Sequence, residues 1–259
     1  MSDSNEVVLE QRGHVLIIRI NRPEARNSIN TATARALGAA LEQLNSDADL
    51  RVGVLTGTGV AFCAGQDLKA LAAGEAVLEK PERGFGEWVR HYCSKPLIAA
   101  VNGYAFGGGL ELALACDLIV AAEGVALGLP EVKRGLFAAG GGVPRLVQQM
   151  PEKVAMRMVL TGEPIMTNDA QHWGLVNEVV AADEVLDTAL ELAEHIAQNA
   201  PVAVQASKRI VALTAHSGTW EPEAWEVITE EFERVFGSED AAEGARAFAE
   251  KREPIWKGR

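Results

Sequence analysis

With 259 residues and 48% hydrophobic content, the chain has enough apolar material for one large domain, or for a domain of about 200 residues with a smaller appendage; the composition excludes disorder. The formal net charge is −12, and basic residues gather only in small groups such as Lys208-Arg209 and the tail residues Lys251, Arg252, Lys257 and Arg259, which argues against a nucleic-acid partner. A small ligand carrying a few phosphates remains compatible with an acidic chain, because a few local cations suffice.

From Met1 to Glu10 the chain is polar and acidic, without the cationic start and apolar run of a signal peptide. Val7–Leu9 and Val15–Ile20, separated by Gln11-Arg12-Gly13, predict a hairpin. Thr31 to Leu44 predicts an Ala/Leu-rich helix capped by Asn30 or Thr31. Val52–Leu55, Leu97–Val101 and Leu118–Ala122 are short, continuously apolar strands, a pattern that suits burial on both faces. Helical segments alternate with them, so the fold class is α/β. No fixed sequence period emerges. After Val176–Val180 the pattern becomes helical throughout, over residues 183–199, 201–215, 222–236 and 239–251, with Pro201 and Pro222 near helix starts. The expected organisation is a core over residues 1–182 and a helical region over residues 183–259, whose helices need a surface to cover. Trp220, Trp225 and Trp256 lie in or beside that region and suit a buried interface. The apolar run Leu110 to Ala122 is interrupted by Glu111 and Asp117 and falls short of a membrane span. A soluble, cytoplasmic protein with no membrane partner is expected.

Two glycine-rich segments each follow an apolar strand and precede a helical pattern. They are Ala61-Phe62-Cys63-Ala64-Gly65-Gln66-Asp67-Leu68-Lys69 and Asn102-Gly103-Tyr104-Ala105-Phe106-Gly107-Gly108-Gly109-Leu110-Glu111. Neither has the spacing of a phosphate loop or a dinucleotide fingerprint. Taken singly, each reads first as tight helix–strand packing. Together they suggest a pair of backbone N–H donors converging on one oxygen. Glu111 lies among Leu110, Leu112, Ala113, Leu114 and Ala115, an apolar helical setting that burial makes costly for an acid and that is typical of active sites. Glu131 follows Pro130 and reads equally well as a solvated helix-start acid. Cys63, Cys93 and Cys116 have no metal-ligand spacing and read as buried thiols, and the five histidines share no motif. No metal site is expected.

The stretch Lys95-Pro96-Leu97-Ile98-Ala99-Ala100-Val101-Asn102-Gly103-Tyr104-Ala105-Phe106-Gly107-Gly108-Gly109 resembles the signature of the crotonase, or enoyl-CoA hydratase/isomerase, superfamily. The likeness extends over nearly the whole chain. It includes Asn21-Arg22-Pro23, Phe62-Cys63-Ala64-Gly65-Gln66-Asp67-Leu68, Leu160-Thr161-Gly162 and Phe248-Ala249-Glu250-Lys251-Arg252. It implies a spiral of ββα units followed by a helical trimerisation region, often doubled into a hexamer. It also implies an acyl-CoA substrate and no cofactor beyond the coenzyme A that the substrate carries. The thioester carbonyl would accept from the peptide N–H groups of Gln66 and Gly108. Ala64, Gly65, Asp67 and Lys69 would line the coenzyme A channel, with Lys69 near phosphate, while Phe248 and Lys251 would reach a neighbouring subunit's ligand. Glu111 and Glu131 occupy the positions of the two hydratase glutamates, which favours water chemistry; a dehydratase or racemase of carnitinyl-CoA type, an isomerase and a non-catalytic binder are the alternatives. One departure is Ala138-Ala139, where hydratases usually have Pro-Gly; the added methyl group would narrow the pocket or alter substrate choice.

Overall fold

The structure, a computed structural model, describes residues 6–75, 80–215 and 221–259. Strands β1 (Val7–Arg12) and β2 (Val15–Ile20) form the expected antiparallel hairpin, Arg12 opposite Val15. Helix α1 (Thr31–Ser46) starts at Asn30, whose side chain accepts from the Thr33 amide at 2.8 Å and satisfies one of the free donors of the first turn. Its Leu37, Leu41 and Leu44 recur at helical spacing and are fully buried.

The chain then winds through β3 (Val52–Gly57), β4 (Ala61–Cys63) and α2 (Leu68–Ala72), and next through β5 (Leu97–Val101), β6 (Tyr104–Phe106) and α3 (Gly108–Leu114). A third turn follows, comprising β7 (Leu118–Ala122), β8 (Ala126–Gly128), α4 (Gly142–Gln149) and α5 (Glu152–Thr161); β9 (Ile165–Met166), α6 (Thr167–His172) and β10 (Glu178–Val180) close the spiral. Each turn adds one strand to a six-stranded sheet and one to a four-stranded sheet. Their orders are β1-β2-β3-β5-β7-β10 and β4-β6-β8-β9. The large sheet is parallel from β2 to β10. This is the α/β spiral of ββα units that the resemblance implies.

The continuous apolar strands are buried on both faces. Leu16, Ile18, Leu55, Ala99 and Val101 point into the core shared with α1 and α3. Val15, Ile17, Val54, Ile98 and Val120 lie under α7 (Val185–Ala197), which covers them with Val185, Ala189 and Ala193. The first helix of the C-terminal part is thus a layer of the sheet. Beyond it, α8 (Pro201–Thr214) packs on α9 (Pro222–Phe236), and α10 (Glu239–Glu250) packs on α9. Buried Glu231 joins the first pair through Arg209 at 2.6 Å. Of the tryptophans assigned to an interface, Trp220 lies outside the described residues and Trp225 is exposed. Trp256 is turned inward: its indole N–H donates to the Gln198 carbonyl at 2.7 Å, so it anchors the tail to its own subunit. Among the described residues, no helix is long and apolar enough to cross a membrane.

Candidate active site

The site is assembled where successive turns of the spiral meet. Gly65 follows β4 with φ +89°, and a Cβ there would lie 2.8 Å from the Phe106 carbonyl oxygen and 3.1 Å from the Gly108 nitrogen. Only glycine permits that approach. Gln66 forms a parallel bridge with Ile29: the Ile29 amide donates to Gly65 and the Asp67 amide donates to Ile29. Those two bonds consume the groups flanking Gln66, and its own N–H projects the opposite way with no partner among the described residues. Gly108, the first residue of α3, has no intrahelical acceptor for its N–H. Two free backbone donors therefore stand beside each other, on two turns of the spiral.

Glu111 follows Gly108 on α3, 3% exposed, and its Oε1 accepts from the Gly142 amide at 2.9 Å. Burial pushes its pKa up, as does the charge of Glu131. The amides of Gly142 and Gly140 and the guanidinium of Arg145 pull it down, and the net shift is upward. Glu131 lies in the first turn of a short 3-10 helix, Pro130–Arg134, that follows β8. A Cβ on Gly107 would come within 3.0 Å of its Oε1, which places this carboxyl group beside the start of α3. Its Oε2 is buried without a partner among the described residues, and burial raises its pKa. Glu131 is thus part of the same cluster as Glu111, and the solvated-acid reading does not hold.

Two N–H donors without acceptors suit a carbonyl oxygen that gains negative charge. Two carboxyl groups whose pKa values are both raised hold a proton more readily than free carboxylates and suit proton transfer. Burial pushes the Cys63 thiol up to about 12, which disfavours a thiolate nucleophile. No group of His, Cys, Asp and Glu among the described residues is arranged to hold a metal.

The other residues singled out in the sequence are placed as follows. Ala64 is partly exposed beside Gly65. Asp67 caps α2 by accepting from Lys69 and Ala70 and pairs with Arg22 at 2.9 Å; burial pushes its pKa up, but the amides and the guanidinium outweigh it. Its carboxylate therefore fixes the Gln66 loop. Lys69 is exposed one turn beyond. Phe248 is 88% exposed on α10, and Lys251 ends that helix in a left-handed conformation with φ +55°. The Lys251 amide donates to the Phe248 carbonyl at 3.2 Å, within the end of the helix. Ala138 is buried, and Ala139 is exposed at the mouth of the Gly140–Gly142 loop. Two neighbours were not singled out in the sequence. The Phe85 ring covers Gly108, where a Cβ would collide with it. Arg145 lies behind the glycine loop, bonded to the Gly140 carbonyl at 3.1 Å. No motif announces either residue; the arginine sits four residues after Gly141, within the helix that the triple glycine opens.

The site thus combines a ββα spiral, a pair of free backbone amides and two carboxyl groups whose pKa values are raised, one buried and one half-buried. The chain belongs to the enoyl-CoA hydratase/isomerase family, whose model matches residues 10–259. It is 49% identical to an enoyl-CoA hydratase from Mycobacterium marinum, with a TM-score of 0.93 and coverage of 98% of this chain and 99% of that one. It is 53% identical to a carnitinyl-CoA hydratase from Mycobacterium avium, at a TM-score of 0.78 and the same coverage. A carnitinyl-CoA dehydratase from Salmonella enteritidis is 43% identical over 261 residues, 99% of this chain and all of that protein.

Proposed function

We propose that the protein adds water reversibly across the double bond of a 2-enoyl-CoA thioester. The observation that carries this reading is the pairing of two upward-shifted carboxyl groups, buried Glu111 and half-buried Glu131, beside the free amides of Gln66 and Gly108. The thioester oxygen accepts from the two amides. Glu111, whose Oε1 already accepts a backbone N–H, is favoured in the ionised form. It takes a proton from water, whose oxygen bonds to the β-carbon as charge moves onto the thioester oxygen. Glu131, whose Oε2 has no donor, is favoured in the protonated form and delivers its proton to the α-carbon as the enolate collapses. The same groups run the elimination in reverse.

Dehydration of a polar 3-hydroxyacyl-CoA such as carnitinyl-CoA is the second reading, favoured by the names of the Salmonella and M. avium relatives. Of the two solved relatives, the one higher in identity is lower in structural similarity, so overall likeness does not choose between the substrates. Coenzyme A would run past Ala64, Gly65, Asp67 and Lys69. Phe248 and Lys251 would contribute from a neighbouring subunit of a trimer or hexamer, and exposed Phe232, Phe236, Val211 and Leu213 on α8 and α9 supply apolar surface for that assembly.

Turnover of crotonyl-CoA and carnitinyl-CoA, followed by the enoyl-thioester absorbance, tests the reading. Glu111→Gln and Glu131→Gln should each lower turnover at least ~10²-fold, the range for loss of a general acid or base. Binding of a saturated acyl-CoA should persist. Near-normal turnover in either variant rules out the two-carboxylate mechanism.

A further inference from the structure

Gly140, Gly141 and Gly142 are wedged between a carboxylate and a guanidinium. On one side, a Cβ at Gly140 would stand 2.5 Å from Glu111 Oε2, and one at Gly142 would stand 3.0 Å from Glu111 Cγ. On the other side, a Cβ at Gly141 would run into Arg145 Nη1. Gly141 itself has φ +94°, a conformation that strains any L side chain. Arg145 holds this wedge from behind: Nη1 donates to the Gly140 carbonyl and Nη2 to the Val89 carbonyl. Val89 is buried, and its amide donates to Phe85, whose ring covers Gly108. One side chain thereby links the loop that touches Glu111 to the segment that covers the amide donor. A planar guanidinium can serve two carbonyls in fixed directions, which an ammonium does less well.

The arginine is half-buried and makes no salt bridge among the described residues. Placing a cation there costs desolvation, and the carboxylate whose charge supports it is Glu111. Resting on the reading above, we propose that Arg145 is a positioning residue: fixed to the carbonyls of Gly140 and Val89, it presses the glycine loop onto Glu111, so that backbone amides set the place and charge of the base. The ionisable groups acting on Glu111 are Glu131, from the turn after β8, and Arg145, from α4. Cys63 on β4 faces Gly109, Tyr104 on β6 lies tilted against the Phe106 ring, β5 carries no ionisable side chain, and Glu87, in the segment before β5, pairs with Arg83 and Lys80.

The test compares Arg145→Met and Arg145→Lys. Arg145→Met should lower kcat roughly 10- to 100-fold, the scale on which a misplaced group costs rate, with KM for crotonyl-CoA little changed. The acid limb of its kcat profile should move to higher pH by about half a unit or more, since loss of the cation disfavours ionised Glu111. Arg145→Lys keeps the charge but not the two-pronged grip: its kcat should fall while the acid limb stays near the wild-type position. The infrared band of the Glu111 carboxyl, assigned by its loss in Glu111→Gln, gives the same titration without substrate. That separates failure of this proposal from failure of the proposed reaction. A wild-type kcat in Arg145→Lys, or an unmoved Glu111 titration in Arg145→Met, would overturn the positioning role.

Discussion

Gly140→Ala perturbs the site by a single methyl group. Gly140 has no left-handed φ, so alanine suits the backbone and the effect is steric. The new Cβ would stand 2.5 Å from Glu111 Oε2, against an ordinary contact of 3.4 Å or more. Something must retreat by most of an ångström. The loop is held from the other side by the Arg145 guanidinium on the Gly140 carbonyl, whereas the carboxylate is the end of a side chain with rotatable bonds. The carboxylate therefore yields. A displacement of about 1 Å at a reacting group costs on the order of 10²-fold in rate. Overpacking that no side chain relieves would instead cost about 1–3 kcal/mol of stability. The expected result is a kcat on crotonyl-CoA lowered by roughly 10- to 100-fold, with near-normal affinity for butyryl-CoA by calorimetry and little change in Tm. Turnover within about twofold of wild type, roughly 0.4 kcal/mol in the barrier, would refute the claim that the loop fixes the base.

Gln66→Ala should retain most activity, because alanine keeps the peptide N–H that the Ile29 bridge aims, while Gln66→Pro should abolish it; steady-state rates decide, and a large loss in Gln66→Ala would reveal a side-chain role. Stability gives an independent check on burial. Glu111 has a folded-state pKa above its unfolded value, so its contribution is fully present below the unfolded pKa and is lost as pH rises through the folded one. Glu111→Gln should therefore raise Tm at neutral pH and lose that advantage in acid; an equal effect at both pH values would contradict the assigned shift.

The large sheet was legible because its strands are continuously apolar: Val52–Leu55, Leu97–Val101 and Leu118–Ala122 all appear where predicted, the first extended to Gly57. The small sheet was not. Ala61–Cys63, Tyr104–Phe106 and Ala126–Gly128 are three residues long, too short to show a period, and owe their conformation to neighbours one spiral turn away. Glu111 was legible as an acid in an apolar helix. Without the family resemblance, Glu131 was not, since its burial depends on Gly107, which lies in a different turn of the spiral. The direction of the Gln66 N–H depends on pairing with Ile29, a contact that no local pattern encodes. Arg145 and Phe85 act through backbone carbonyls and glycine surfaces, features that a list of side chains does not display.

Helix α3 carries both the Gly108 donor and Glu111, three residues apart on one rigid element, whereas Glu131 hangs from a separate short turn after β8. On the proposed reading, one of the two amide donors and the base share a helix, while the proton donor is carried by a different element. If that reading holds, a change of side chain at position 131 should alter proton delivery more than binding of a saturated acyl-CoA, which calorimetry and turnover together would show.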